Sequence, residues 1–371
     1  MSKYKKVQAK EHGDILYIPD KYLGHTLSPN CHVFFKRKYS KENYFTNNLG
    51  WRVSKLGEKA NKVDIMLCGD SVCLGEGSEN KFTIASNLAK KLKKTVANIG
   101  VGSFSNLQTL RKIKKDIKIA RPKIIVYLFN VTSRDFQQNA LLDMVHRPFF
   151  KKNKEKNKIE LIESISLPFK LYKSFAYLEK EKISYIDIKS NSKETKYFKK
   201  LSLLKRMKGH AIWLYFQFKC GRVKNFFFRK IGINKYEYIK SRTEEAGKFL
   251  TKYIIKEMDK ICKENSCKVL IQPIYPYVKT SEIIKEHYNK YVKNLYLFSK
   301  KINTENSIYI DKSKYLENLH KKFFKKEIIT KEDFLGNLHW KDNNHPMPKG
   351  YYFITKNIIY SLKNSKLIKY L

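Results

Sequence analysis

The spacing of apolar residues changes character at residue 63. Before it they come as short extended pieces, 14–19 and 33–39 among them, punctuated by proline, asparagine and glycine. That pattern predicts a β-rich prelude over 1–60. From 63 onward, apolar runs at 63–68, 95–99 and 123–129 alternate with segments of helical spacing. Phe82, Ala85, Leu88, Ala89 and Leu92 mark one such segment, and Leu107, Leu110, Ile113 and Ile117 the next, with Pro122 ending it. The rhythm returns late in the chain: a helix over 248–261, a strand over 267–273, a helix near 281–300, a strand over 307–311 and a proline-started helix from 347. Strands alternating with helices predict an α/β domain around a parallel sheet.

Residues 140–245 break that rhythm. They are lysine-rich, with helical patches and no strand that must join the sheet, so they read as a basic, mostly helical insertion within one domain spanning 61–371. Within it, 199–230 carries ten basic residues and no acidic one, interleaved with Ile212-Trp213-Leu214-Tyr215-Phe216 and Phe226-Phe227-Phe228. The plainer reading is a set of helices whose aromatic faces cover the sheet or each other. The sharper one is a basic-aromatic surface for an anionic membrane.

Charge adds less than its size suggests. The formal net charge is +43, but 67 of the 77 basic residues are lysine and only 10 are arginine. Readers of bases and phosphates lean on arginine's bidentate fork, so lysine spread over every segment makes nucleic acid an unlikely partner. An anionic membrane or an acidic glycan suits the charge at least as well. Six cysteines form no CxxC pair and no zinc-like spacing with histidine, which predicts free thiols and no metal. The N-terminus has no apolar signal core and no run approaches a membrane span, so the expected location is cytoplasmic.

Four stretches carry candidate chemistry. Gly69-Asp70-Ser71 ends the first strand, and a glycine there lets the chain turn tightly and present the Ser71 hydroxyl at the sheet's carboxyl rim. Asp342-Asn343-Asn344-His345 lies before the last helix, where one loop supplies both a carboxylate and an imidazole. A carboxylate on one ring nitrogen fixes the tautomer, leaving the other nitrogen to take a serine proton. Alone, the pair reads more readily as a helix cap and a surface histidine. Asn98-Ile99-Gly100-Val101-Gly102-Ser103 follows the second strand and offers backbone N–H groups to an oxyanion, and Asn130, after the third, offers a side-chain amide. Each of these two also reads as an ordinary turn. Three of the four stretches follow consecutive strand ends, where a parallel sheet places its active site.

In Gly69-Asp70-Ser71, Asn98-x-Gly100, an Asn-containing third turn and Asp342-x-x-His345, the chain resembles the SGNH (GDSL-type) hydrolase superfamily. Leu23-Gly24-His25-x-Leu27-x-Pro29-Asn30 and Asn47-Asn48-Leu49-Gly50-Trp51-Arg52 are similar to the lead-in of some bacterial members. The resemblance covers 20–137 and 247–360 in outline. It implies a flavodoxin-like three-layer α/β/α sandwich with a central parallel sheet of about five strands, and ester hydrolysis or acyl transfer without a cofactor. Ser71 would be the nucleophile, His345 the general base and Asp342 its orienting carboxylate. The oxyanion hole would use the N–H of Ser71, an N–H near Gly102 or Ser103, and an amide from the third turn. The family's Gly-x-Asn-Asp is not reproduced there: either Asn130 supplies the amide, or Arg134-Asp135-Phe136 takes its place. The implied partner is an acylated small molecule or an O-acetylated glycan. The alternatives are an O-acyltransferase on a glycan and a non-catalytic module of the same fold that holds an anionic glycan or membrane.

Overall fold

The computed structural model describes residues 5–8, 16–36, 40–55, 57–130, 141–142, 145–146, 148–153, 158–163, 244–274, 293–301, 304, 307–311, 325, 338–340 and 345–371. The segment 199–230 lies outside them, as do Asp342 and Arg134.

The first apolar run forms β7 (Ile65–Cys68), buried throughout. With β8 (Val96–Asn98), β9 (Ile124–Asn130), β14 (Lys268–Ile274) and β15 (Ile308–Ile310) it builds five parallel strands in the order β8-β7-β9-β14-β15. Counted along the chain, that order is 2-1-3-4-5, the flavodoxin-like winding. Consecutive residues of the central strands face opposite layers, as the two-residue period of a strand requires. Met66, Cys68, Ile125, Tyr127 and Phe129 share a core with Leu107, Leu110 and Ile113 of α3 (Asn106–Ala120) and Ile254, Ile255 and Met258 of α4 (Glu244–Glu264). Ile65, Leu67, Ile124, Val126 and Leu128 pack on the other face against Ile84 and Leu88 of α2 (Ile84–Leu92) and Ile358 and Leu362 of α6 (Pro348–Asn364). Helices therefore cover both faces, giving the three-layer α/β/α fold. Helix α5 (Lys293–Lys301) contributes Leu295 to the α3 side.

The prelude extends this sheet. β4 (Cys31–Lys36), β5 (Lys41–Thr46) and β6 (Arg52–Val53) form an antiparallel run that meets β8 through the Arg52–Asn98 pair, and β1 (Lys5–Gln8) lies parallel to β4 at the far edge. The hairpin β2 (Tyr17–Asp20) and β3 (Gly24–Leu27) sits apart from the sheet. A buried ion pair fastens prelude to domain: Lys112 Nζ lies 2.7 Å from Asp116 Oδ2, which also accepts the Trp51 indole N–H at 2.7 Å. Buried charges persist only when paired and hydrogen-bonded in this way. The motif that ends in Trp51-Arg52 is thus a joint.

Within the segment expected to be mostly helical, the described residues of 141–163 form two antiparallel strand pairs, β10 (Leu141–Leu142) with β11 (Val145–His146) and β12 (Phe149–Asn153) with β13 (Lys158–Ile162). The Phe149-Phe150 aromatics and the Lys158–Ile162 alternation favour strand over helix once Phe150 has a hydrophobic wall, here Phe249 and Tyr253 of α4. Residues 164–243 lie outside the described ones. Cys31, Cys68, Cys73, Cys262 and Cys267 are buried and take part in no disulfide. Among the described residues, no helix is long and apolar enough to cross a membrane.

Candidate active site

The turn after β7 is built around a glycine that cannot be replaced freely. Gly69 has φ 154°, and a Cβ there would lie 2.9 Å from Cys73 Cβ and 3.0 Å from Leu128 Cβ. Asp70 caps the short helix α1 (Ser71–Leu74), its Oδ1 accepting the Val72 N–H at 2.9 Å. Ser71, the first residue of that helix, is half-buried while the three that follow are buried. The helix ends at once because Gly75 turns left-handed at φ 87°. Its last carbonyls are claimed by neighbours: Asn98 Nδ2 donates to Cys73 O at 3.1 Å, and Arg52 Nη1 donates to Leu74 O at 2.9 Å and Gly75 O at 2.8 Å.

The strand ends that flank this turn are stitched together by side chains. Asp70 Oδ2 accepts the Asn130 amide Nδ2 at 2.7 Å, joining the ends of β7 and β9. Asn106, first residue of α3, clamps the Asn130 backbone from both sides: Oδ1 accepts its N–H at 3.2 Å and Nδ2 donates to its carbonyl at 2.9 Å. Burial pushes the Asp70 carboxyl above the usual aspartate range, against the lowering pull of the Val72 N–H, the Asn130 amide and the His345 ring. The bond to Asp70 sets the Asn130 amide beside the turn that carries Ser71, between the ends of β7 and β9.

His345 comes from the other side of that crevice. Its Nε2 lies 2.9 Å from Ser71 Oγ, hydrogen-bond distance for a base and its nucleophile. A short antiparallel connection carries the ring: His339 bridges Pro346, Trp340 N–H donates to His345 O at 2.9 Å, and Met347 N–H donates to Leu338 O at 2.7 Å. The Trp340 indole donates to Gly77 O at 2.8 Å, tying this connection to the turn that follows Ser71. Pro348 then opens α6, whose cap residue Met347 gives no side-chain hydrogen bond. Asp342 was the expected partner of the ring and lies outside the described residues.

The second turn also reaches the site. Val101 N–H donates to Gly69 O at 3.3 Å, and a Cβ on Gly100 would come within 2.6 Å of Cys73 Sγ, so β8 exits directly against α1. Gly102 and Ser103 are the two central residues of a turn closed by Phe104 N–H to Val101 O at 3.3 Å. Ser103 holds the left-handed conformation, φ 62°. Arg134, the other candidate for the third turn, lies outside the described residues.

Several residues at the site carry no motif in the sequence. Glu76 places Oε2 3.6 Å from His345 Nε2, on the nitrogen that faces Ser71. Glu42, fully buried on the prelude strand β5, accepts the Gly77 N–H at 2.9 Å and the Tyr44 hydroxyl at 2.5 Å. Tyr351 of α6 donates its hydroxyl to Glu76 O at 2.6 Å. A glutamate five residues after the serine, in a loop with Gly75 and Gly77, was the one signal available for Glu76.

No protein-family model matches the chain. No curated protein matches it either. Among solved structures, the chain is similar to TesA, a crystal structure, at 9% sequence identity and a TM-score of 0.39 over 81% of this chain and 98% of that one.

Proposed function

We propose that the protein is a serine-dependent ester hydrolase of the SGNH type that works through an acyl-enzyme. The observation that carries this reading is the 2.9 Å contact between Ser71 Oγ and His345 Nε2 at the crevice between β7 and β9. That crevice is the switch point of a 2-1-3-4-5 sheet, where ligands of such folds bind. Ser71 Oγ attacks the ester carbonyl and its proton passes to His345 Nε2. The imidazolium returns that proton to the departing alcohol, and water activated by the same nitrogen releases the acid. Glu76 adds a carboxylate close to the ring that becomes positive.

The oxyanion of each tetrahedral intermediate is assigned to the N–H of Ser71, an N–H of the Gly102–Ser103 turn and the Asn130 amide. Asp342 keeps the orienting role on the far ring nitrogen. An O-acetylated glycan is the substrate class carried over from the resemblance, and a sugar hydroxyl replacing water in the second step would make the protein an O-acyltransferase.

A fluorophosphonate probe tests the reading. Purified protein should gain one covalent adduct, and Ser71→Ala should gain none. An unlabelled wild type, or equal labelling of Ser71→Ala, leaves the non-catalytic module as the surviving reading.

A further inference from the structure

The β2–β3 hairpin stands outside the main sheet, yet it presses on the turn after β8. His25 Nε2 lies 2.9 Å from Gly102 O, with the ring 3% exposed between Tyr17 and Phe104, which it meets edge-on at centroid distances of 5.8 and 5.1 Å. A Cβ on Gly102 would lie 2.2 Å from Tyr17 Oη, so the hairpin seats directly on this peptide.

Gly102 and Ser103 are the central pair of their turn, and Ser103 alone of the two has positive φ. Those are the φ signs of a type II turn, which differs from the commoner type I by a flip of the one peptide between the central residues. A type II turn favours glycine at the position serine holds here, so local preference alone would not select it. The peptide is planar and trans, so its carbonyl and its N–H point in opposite directions. Whatever holds Gly102 O therefore aims the N–H of Ser103. A carbonyl only accepts, so the facing His25 nitrogen must carry the proton.

We propose that His25 is a positioning residue for the oxyanion hole: its Nε2–H holds Gly102 O and thereby turns the Ser103 N–H toward Ser71. This rests on the reading of Ser71 as the nucleophile. The prelude then completes the active site without touching the substrate, and the His25 of Leu23-Gly24-His25 acquires a function.

Two measurements test it. The first compares His25→Phe, which keeps the ring contacts and removes the donor, with His25→Gln, whose amide restores a donor at similar reach. In His25→Phe, kcat for p-nitrophenyl acetate and the rate of fluorophosphonate labelling should both fall about tenfold to a hundredfold, the lower range for a lost oxyanion donor. KM should be nearly unchanged, and His25→Gln should recover most of the loss. Wild-type rates in a folded His25→Phe, or equal losses in both variants, would overturn the proposal. The second needs no variant: imidazole nitrogen NMR of the wild type should show His25 as a neutral ring protonated on Nε2. A ring protonated only on Nδ1 contradicts the proposal even if both variants fail to fold. An unreactive Ser71 in the wild type would instead defeat the esterase reading, while the tautomer still reports on His25.

Discussion

Ser71 and His345, the proposed nucleophile and base, are held in very different ways. The turn from Gly69 to Ser78 is tied from several directions: Arg52 reaches Leu74, Gly75 and Ser78 carbonyls, Asn98 covers Cys73, Glu42 takes the Gly77 N–H and Tyr351 holds Glu76. Most of these groups are buried, and each one lost leaves an unpaired polar partner behind. His345 rides on a narrow antiparallel connection whose described anchors are a few backbone bonds and the Trp340 indole. Stability is therefore concentrated on the side of Ser71, and the proposed proton transfer on the side of His345. Changes on the two sides should separate along those lines.

The widest separation is expected at His345. Replacing it with alanine should cut kcat/KM for p-nitrophenyl acetate by about 10⁴-fold or more, as removal of a triad member does, while the urea midpoint stays close to that of the wild type. Parallel loss of stability would break the contrast. Asn130→Ala sits between the two regimes. It should cost about 10²- to 10³-fold in kcat as an oxyanion donor, with little change in KM. An effect on KM alone would move Asn130 out of the oxyanion hole.

Arg52→Lys samples the nucleophile side. Lysine keeps the charge but cannot reproduce the fork that meets four carbonyls and the Asn80 side chain. The expected loss is about 3 kcal/mol, read as a lower urea midpoint at unchanged slope. The smallest effect concerns Asp70. Its carboxyl titrates above the ordinary value in the folded state, so the folded chain binds that proton more tightly than the unfolded one. The resulting stabilisation is fully present below the ordinary aspartate value of 3.8 and is lost as pH rises through the raised one. Thermal melts of wild type and Asp70→Asn should show the wild type losing ground to the variant from pH 4 to pH 7. A gap moving the other way would mean that the hydrogen bonds from Val72 and Asn130 outweigh burial.

Much of this arrangement was legible in the chain because it is local. Each of the five parallel strands and the helices α2, α3, α4 and α6 announced itself by periodicity, and Gly69-Asp70-Ser71 by a glycine that only a tight turn needs. What stayed hidden is made across long sequence separations. The Asp70–Asn130 bond spans 60 residues and the His25–Gly102 bond spans 77, and neither changes the composition around its partners. Glu76 likewise reads as one more polar residue in a glycine loop until α6 brings His345 beside it. The β12–β13 pairing was hidden because lysines interrupt its alternation, and the wall that Phe249 and Tyr253 of α4 give Phe150 comes from far along the chain.

In the proposed reaction Ser71, paired with His345, attacks an acyl carbon. Peptide mapping by mass spectrometry after fluorophosphonate treatment tests it most directly. A single phosphonyl group is expected on Ser71 in the wild type, and its near-absence in His345→Ala. A modification at another residue, or one on Ser71 that forms equally fast without His345, would contradict it.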